Sequence, residues 1–293
     1  VLRETQLQTL RERRAREPGF VHESLVTRQR RQLLGSDGRL LVVAADHPAR
    51  GALGVGSDEM AMASRPQLLD RLMQALDRDG VDGVLATADI LEDLAALGVL
   101  NGRLAIGSVN RGGLKDSVFE LDDRVTGFDV DGAIAAQLDA IKCLLRIDRD
   151  DHGTVATLER LASVLNDAAL HSLPVFLEPF MSSRIEGRVR HELTPEAVVR
   201  ALSIAQAVGA TSAWTWLKLP VVANMAAVAD STTMPIVLLG GDSSQDPLPV
   251  YEEWRQALRL PGVRGMMVGR SVLYPHDGDV VAALDRVIDL VHG

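Results

Sequence analysis

The chain has 293 residues, 46% of them hydrophobic and 24% charged, enough for one large domain or two small ones with a sizeable core. No apolar run approaches the roughly 20 residues of a membrane helix, and the first residues carry glutamate and arginine where a secretion signal is apolar, so neither spanning nor secretion is expected. A formal charge of −9 argues against general nucleic-acid binding, and one cysteine, Cys143, permits no intrachain disulfide or cysteine zinc cage, which suits a reducing cytoplasm.

Residues 1–34 hold eight basic and four acidic residues and read as an amphipathic helical preface. From residue 39 onward, short β-branched or leucine-rich runs alternate with helical patterns. The strand candidates are 39–46, 81–87, 103–109, 139–145, 173–179, 213–219, 234–241 and 263–269; amphipathic stretches such as 65–76, 154–170 and 195–208 lie between them. Nearly continuous apolar runs mark strands buried on both faces, and strict alternation implies parallel pairing through right-handed crossovers. Eight such units predict a (β/α)8 TIM barrel over residues 39–293, with residues 1–38 as an N-terminal helical extension. An open doubly wound sheet is the alternative.

A barrel of this kind carries its chemistry at the C-terminal ends of the strands. The first candidate strand runs into Asp46, His47 and Arg50, the fourth holds Lys142, the fifth ends at Glu178 and the sixth at Lys218. Lysine is scarce: 28 of the 31 basic residues are arginine, which does not lose its proton to become an amine nucleophile. Two of the three lysines, Lys142 and Lys218, nevertheless stand inside apolar runs. With a period of two, Trp214, Trp216 and Lys218 share a face, expected to line the barrel interior. An amine beside apolar rings and a second ammonium is pushed toward its neutral form, which is how a Schiff-base lysine is made nucleophilic.

Each residue has a plainer reading too. For Lys218 it is a structural lysine that snorkels out of the barrel or pairs with Glu178. Lys142 reads as the positive neighbour or a hydroxyl anchor, Glu178 as acid/base or counter-ion, and Asp46 as a substrate group or a loop cap. His47 reads as a loop histidine, and Asn110 and Arg111 as substrate contacts or a solvated turn. Cys143 alternates away from Lys142, toward the helices. Gly240 and Gly241 after the seventh strand, with Gly269 and Arg270 after the eighth, are arranged to bind a phosphate; two ordinary helix-entry turns are the alternative. The GALGVG stretch at 51–56 opens no helix and reads as a flexible loop, not a dinucleotide loop.

In order, DHPARGAL, AIKCLLRIDRDD, FLEPF, WLKLP, LLGGDSS and MVGRSVLY resemble class I aldolases of the tagatose-1,6-bisphosphate aldolase type, in the superfamily that includes deoxyribose-phosphate aldolase. The resemblance spans roughly residues 39–275. It implies a barrel that cleaves a sugar phosphate through a lysine Schiff base, with neither metal nor other cofactor. Lys218 would be the Schiff-base lysine, Glu178 the proton-transferring carboxylate, Lys142 the neighbouring lysine and Asp46 a group near the substrate hydroxyls. Gly241, Gly269 and Arg270 would hold the phosphate, with Gly240, Arg50, His47 and Asn110 as further substrate contacts.

The sequence departs from that family where a glutamine usually follows the aspartate: His47 stands there, and Pro48 and Ala49 precede the arginine. An aldolase-like branch associated with inositol catabolism is also similar and implies 2-deoxy-5-keto-gluconate 6-phosphate, as are relatives that cleave sulfo-sugar phosphates. Assembly as a homo-oligomer is expected from the resemblance. Two other readings stay open: a divalent-metal lyase built on Asp46, His47 and Glu178, and a non-catalytic sugar-phosphate-binding barrel with the N-terminal helix as partner surface.

Overall fold

Alternation along the strands decides the architecture. The computed structural model describes residues 1–241 and 247–293. Its strands are β1 (Leu40–Ala44), β2 (Gly83–Ala86), β3 (Leu104–Ser108), β4 (Ala140–Ile147), β5 (Val175–Ile185), β6 (Arg188–His191), β7 (Thr215–Leu219), β8 (Ile236–Leu239) and β9 (Val263–Val268). Leu40, Val42 and Ala44 of β1 pack with Ile106, Ala140, Phe176, Val237 and Met267 inside the ring. Their neighbours Leu41, Val43, Ile141, Leu177 and Leu238 pack outward against helices. Both faces are therefore apolar, as the continuous runs require.

Eight parallel strands close in the order β4-β3-β2-β1-β9-β8-β7-β5, and pairing of β4 with β5 completes the ring. The chain is a (β/α)8 TIM barrel; that last pairing removes the open-sheet alternative. β5 runs past the ring and turns back as β6 in an antiparallel hairpin that the sequence does not announce. Around the strands lie α3 (Arg65–Leu76), α4 (Ala88–Ala96), α5 (Val130–Ala135), α6 (Gly153–Leu170), α7 (Pro195–Ala205), α8 (Met225–Asp230), α9 (Pro247–Leu258), α10 (Arg270–Leu273) and α11 (Val280–His292), preceded by α1 (Glu4–Arg16) and α2 (Phe20–Val26). Ser64, Thr194 and Asp279 cap α3, α7 and α11 through their side-chain oxygens. Among the described residues no helix is long and apolar enough to cross a membrane.

The arginine-rich preface has a structural use. Leu33 and Leu34 pack against the inward cluster from the N-terminal end of the barrel. Arg28 donates to Asp139 Oδ2 at 2.6 Å, and Arg31 to Asp82 Oδ1 at 2.5 Å. Asp139 and Asp82 stand just before β4 and β2, and each also accepts a backbone N–H, from Ala105 and Leu41 respectively. A carboxylate that orders a neighbouring strand is thus neutralised by an arginine from the preface.

Candidate active site

Continued upward, the inward faces change character within one residue pair. Above Ala44 comes Asp46, above Ile106 Ser108, above Ala140 Lys142, above Phe176 Glu178, and above Trp216 Lys218. All five polar residues are buried. Phe176 and Trp216 form the apolar layer beneath, their ring centroids 5.5 Å apart. Trp214 does not share that interior: β7 begins at Thr215, and Trp214 is exposed at the strand's entry, where its carbonyl accepts the N–H of Val175.

Glu178 is the hub. Its strand lies between β4 and β7, so it meets one lysine from each side. Lys218 Nζ donates to Oε1 at 2.6 Å, and Lys142 Nζ contacts Oε2. Lys142 also lies 3.5 Å from Asp46 Oδ2, which accepts from Ser108 Oγ at 2.9 Å and is paired with Arg111. Arg111 Nε in turn donates to Ser108 Oγ at 3.1 Å. Burial alone would raise both carboxyls; Lys142 and Lys218 hold Glu178, and Arg111 and Lys142 hold Asp46, well below the usual carboxylate range. Burial and the Arg111 charge push Lys142 down, against the pull of Asp46 and Glu178. Cys143 faces the helical layer, where burial pushes its thiol up to about 12.

A cavity of about 420 Å³ opens over this cluster, lined by Asp46, His47, Arg50, Arg111, Glu178, Lys218, Gly240, Gly241, Gly269 and Arg270 among others. Lys218 reaches it; Lys142 lies behind. A larger groove, about 680 Å³, runs beside α9 and α11 at Arg39, Arg255 and Arg286, away from the C-terminal strand ends. On the β8 and β9 side of the mouth, side chains at the glycines would fill the space: a Cβ on Gly269 would lie 2.7 Å from the Ala44 carbonyl oxygen and 3.0 Å from His47 Cε1, and one on Gly240 would lie 2.8 Å from Ser271 Oγ. Arg270 Nε, Ser271 Oγ and His47 Nδ1 are buried there without a hydrogen-bond partner among the described residues, the pattern of groups that await a ligand. Burial pulls the His47 imidazole down to about 3, so it is neutral. The Asp242–Ser244 part of the LLGGDSS motif lies outside the described residues.

Asn110 is placed otherwise than expected. Its amide donates to the carbonyls of Leu144 and Asp123 and accepts the N–H of Leu144, so every polar atom is spent on backbone inside the protein, and it neither lines the cavity nor forms a solvated turn. Its neighbour Arg111 is the residue at the cavity. Two groups went unremarked in the sequence. Arg146, two pairs above Lys142 on β4, is buried against Asp123, donating Nε to Oδ2 at 2.8 Å and Nη2 to Oδ1 at 2.7 Å; its parity with Lys142 was the available signal. His191 reaches the cavity from β6, and nothing local marks it. Among the described residues no three His, Cys, Asp or Glu side chains are grouped as a metal ion needs.

Known proteins place this geometry in context. Over 100% of this chain and 98% of the other, it is 50% identical to Cgl0159 from Corynebacterium glutamicum, whose crystal structure superposes with a TM-score of 0.97. An archaeal fructose 1,6-bisphosphate aldolase superposes with a TM-score of 0.65 at 18% identity, over 92% of this chain and 98% of that one. An archaeal fructose-1,6-bisphosphate aldolase with its catalytic lysine bound to the carbinolamine intermediate gives 0.64, also at 18%, over 93% and 100%. At these identities the aldolases share the fold. No curated protein matches the chain. The family model described as Cgl0159-like matches residues 38–288, and the chain belongs to that family.

Proposed function

We propose that the chain is a class I aldolase, cleaving a phosphorylated ketose or keto-acid sugar to a dihydroxyacetone-phosphate-like ketone and an aldehyde. The observation that carries this reading is the 2.6 Å contact between Lys218 Nζ and Glu178 Oε1 at the floor of the cavity, with Lys142 on the other carboxylate oxygen. Likeness of fold to aldolases that work through a covalent lysine supports it.

In this reading Lys218, its proton passed to Glu178, adds to the ketone carbon; Glu178 then returns that proton to the carbinolamine hydroxyl, which leaves as water and gives an iminium. Glu178 then takes the proton of the substrate hydroxyl β to the iminium carbon as the carbon–carbon bond breaks, and the bonding pair moves into the iminium to give an enamine and free aldehyde. The same carboxyl returns a proton to the enamine carbon, and water releases the ketone from Lys218. Lys142 and Asp46 position oxygens and set the charge, and Gly241, Gly269 and Arg270 hold the phosphate. Candidate substrates are a ketose phosphate, 2-deoxy-5-keto-gluconate 6-phosphate and a sulfo-sugar phosphate. The metal-lyase reading fits less well, since the carboxylates of Asp46 and Glu178 already carry lysine and arginine where a divalent cation would have to sit.

Borohydride reduction in the presence of dihydroxyacetone phosphate should fix a covalent adduct on Lys218, found by peptide mass spectrometry and unaffected by chelator. An adduct on Lys142, or none, defeats the assignment.

A further inference from the structure

We infer that the cavity holds a second anion subsite, formed by Arg50 with His191 and suited to a single carboxylate, directly across the barrel mouth from Gly240, Gly269 and Arg270. This deepens the aldolase reading and rests on it for placing a phosphate at those glycines.

The ring order fixes the opposition. The glycines end β8 and β9, and the point facing that pair across an eight-stranded ring lies between β3 and β4. There the Arg50 guanidinium sits beside Arg111, which follows β3, and Arg146, at the end of β4; burial first, then Arg146 and Arg111, pull Arg50 down to about 10.

Arg50 differs from every other cation at this depth. Arg111 has Asp46, Arg146 has Asp123, and both lysines have Glu178. Arg50 Nε and Nη1 are buried with no acceptor among the described residues. Its nearest carboxylate oxygen, Glu120 Oε1, is 3.9 Å from Nη1 and also lies 3.5 Å from Arg146. A buried guanidinium with unmade hydrogen bonds is costly to keep, and an anion arriving through the cavity would supply the acceptors.

Charge selects the anion. In the deep half of the site, Lys142, Lys218, Arg50, Arg111 and Arg146 face Asp46, Glu178, Glu120 and Asp123, five cations against four carboxylates. One positive charge is left over. A monoanion balances it, whereas a phosphate dianion would meet Glu120 and Asp123 directly behind Arg50. His191 completes the subsite from the β6 hairpin. Its ring stacks on Phe180 at 4.3 Å and its Nδ1 is tied to Ser182 Oγ at 2.9 Å, which leaves Nε2 as the unengaged ring nitrogen. Burial, Arg146 and Arg50 hold that ring below its ordinary pKa, hence neutral and able to donate one hydrogen bond. The cavity volume suits a six-carbon chain with a charged group at each end.

The test is calorimetric binding of two probes that differ at one end: 6-phosphogluconate, with a terminal carboxylate, and glucitol 6-phosphate, with a hydroxymethyl group there. Wild type is expected to bind the acid about ten- to a hundredfold more tightly. Arg50→Gln should bring the two within about threefold of each other, while Arg270→Gln should weaken both by a similar factor. Should Arg50→Gln fail to fold by circular dichroism, Arg50→Lys replaces it, and the preference should fall at least about threefold. Equal affinities in wild type, no binding of either probe, or a preference that survives the Arg50 substitution overturns the subsite. Binding requires no imine, so failure of borohydride trapping with the preference intact would remove the aldolase reading and leave the subsite standing.

Discussion

Lys142 and Lys218 stand on strands that never pair with each other, yet they meet on the two oxygens of one carboxylate, because β5 lies between them in the ring and Glu178 points inward from it. Two ammoniums this close are tolerable only with an anion between them. The same arrangement gives Lys218 a proton acceptor in contact and keeps a positive charge beside it throughout.

Glu178→Gln should therefore lower kcat by about a hundred- to ten-thousandfold and cost about 3–5 kcal/mol of stability, since two buried ammoniums lose their partner. The pH dependence has a definite sign. Lys142 and Lys218 hold the folded carboxyl below its unfolded value, so the stability it contributes is present above about pH 4.3 and is lost as pH falls toward the folded pKa. Thermal melting from pH 8 to pH 3 should show the gap between wild type and variant widest near neutrality and shrinking in acid. A constant gap would refute the coupling.

Substitution of each lysine by methionine should separate their roles. Lys218→Met is expected to abolish borohydride trapping. Lys142→Met should still trap, at a rate reduced by about tenfold or more, because it removes the cation behind Glu178 and leaves the cavity-facing amine in place. Trapping that survives in Lys218→Met and vanishes in Lys142→Met would exchange the two assignments.

What the sequence made legible follows from period and position. Eight apolar runs on a βα rhythm place every barrel strand, and inward parity marks Lys142, Glu178 and Lys218 without long-range information. Contacts set by distant segments were hidden. Asn110 looks like a loop residue until Leu144 and Asp123 are seen around it, and His191 enters the cavity only because β5 overruns the ring and returns. The structural use of Arg28 and Arg31 was hidden because their acidic partners lie 111 and 51 residues away.

Arg28→Met tests that pairing. The Asp139 carboxylate would keep its bonds to Ala105 and to Arg30 Nε, 2.8 Å away, but lose its buried arginine, a cost of about 1.5–3 kcal/mol seen as a lower Tm. Arg28 lies at the N-terminal end of the barrel, so kcat/KM below the melting range should stay within about twofold of wild type. A large kinetic effect with unchanged Tm would contradict the structural role.

Asn110→Ala is the matching test at the other end. Three hydrogen bonds to buried backbone groups disappear, including both the donor and the acceptor contact to Leu144, and about 3 kcal/mol of stability should go with them. Because the amide faces away from the cavity, KM should move little once the protein is folded. A raised KM at unchanged Tm would return Asn110 to the substrate.

His47 carries the last expectation. Its imidazole is half-buried beside Asp46, Arg270, Arg111 and Lys218; burial, the largest influence, together with the three cations outweighs the pull of Asp46, so the ring stays neutral down to about pH 3, whereas in the unfolded chain it takes up a proton near pH 6.5. Between those values the unfolded state binds the extra proton, so stability at this position is full above about pH 6.5 and declines as pH falls through the window. His47→Gln removes that dependence. The variant's Tm should fall less steeply than wild type between pH 6.5 and pH 4, and the wild-type rate profile from pH 5 to pH 8 should carry no ionisation that the substitution abolishes. A pKa near 6 that disappears from the rate profile with His47→Gln would mean that the ring is protonated in the folded protein, and that it is more open to water than its placement here implies.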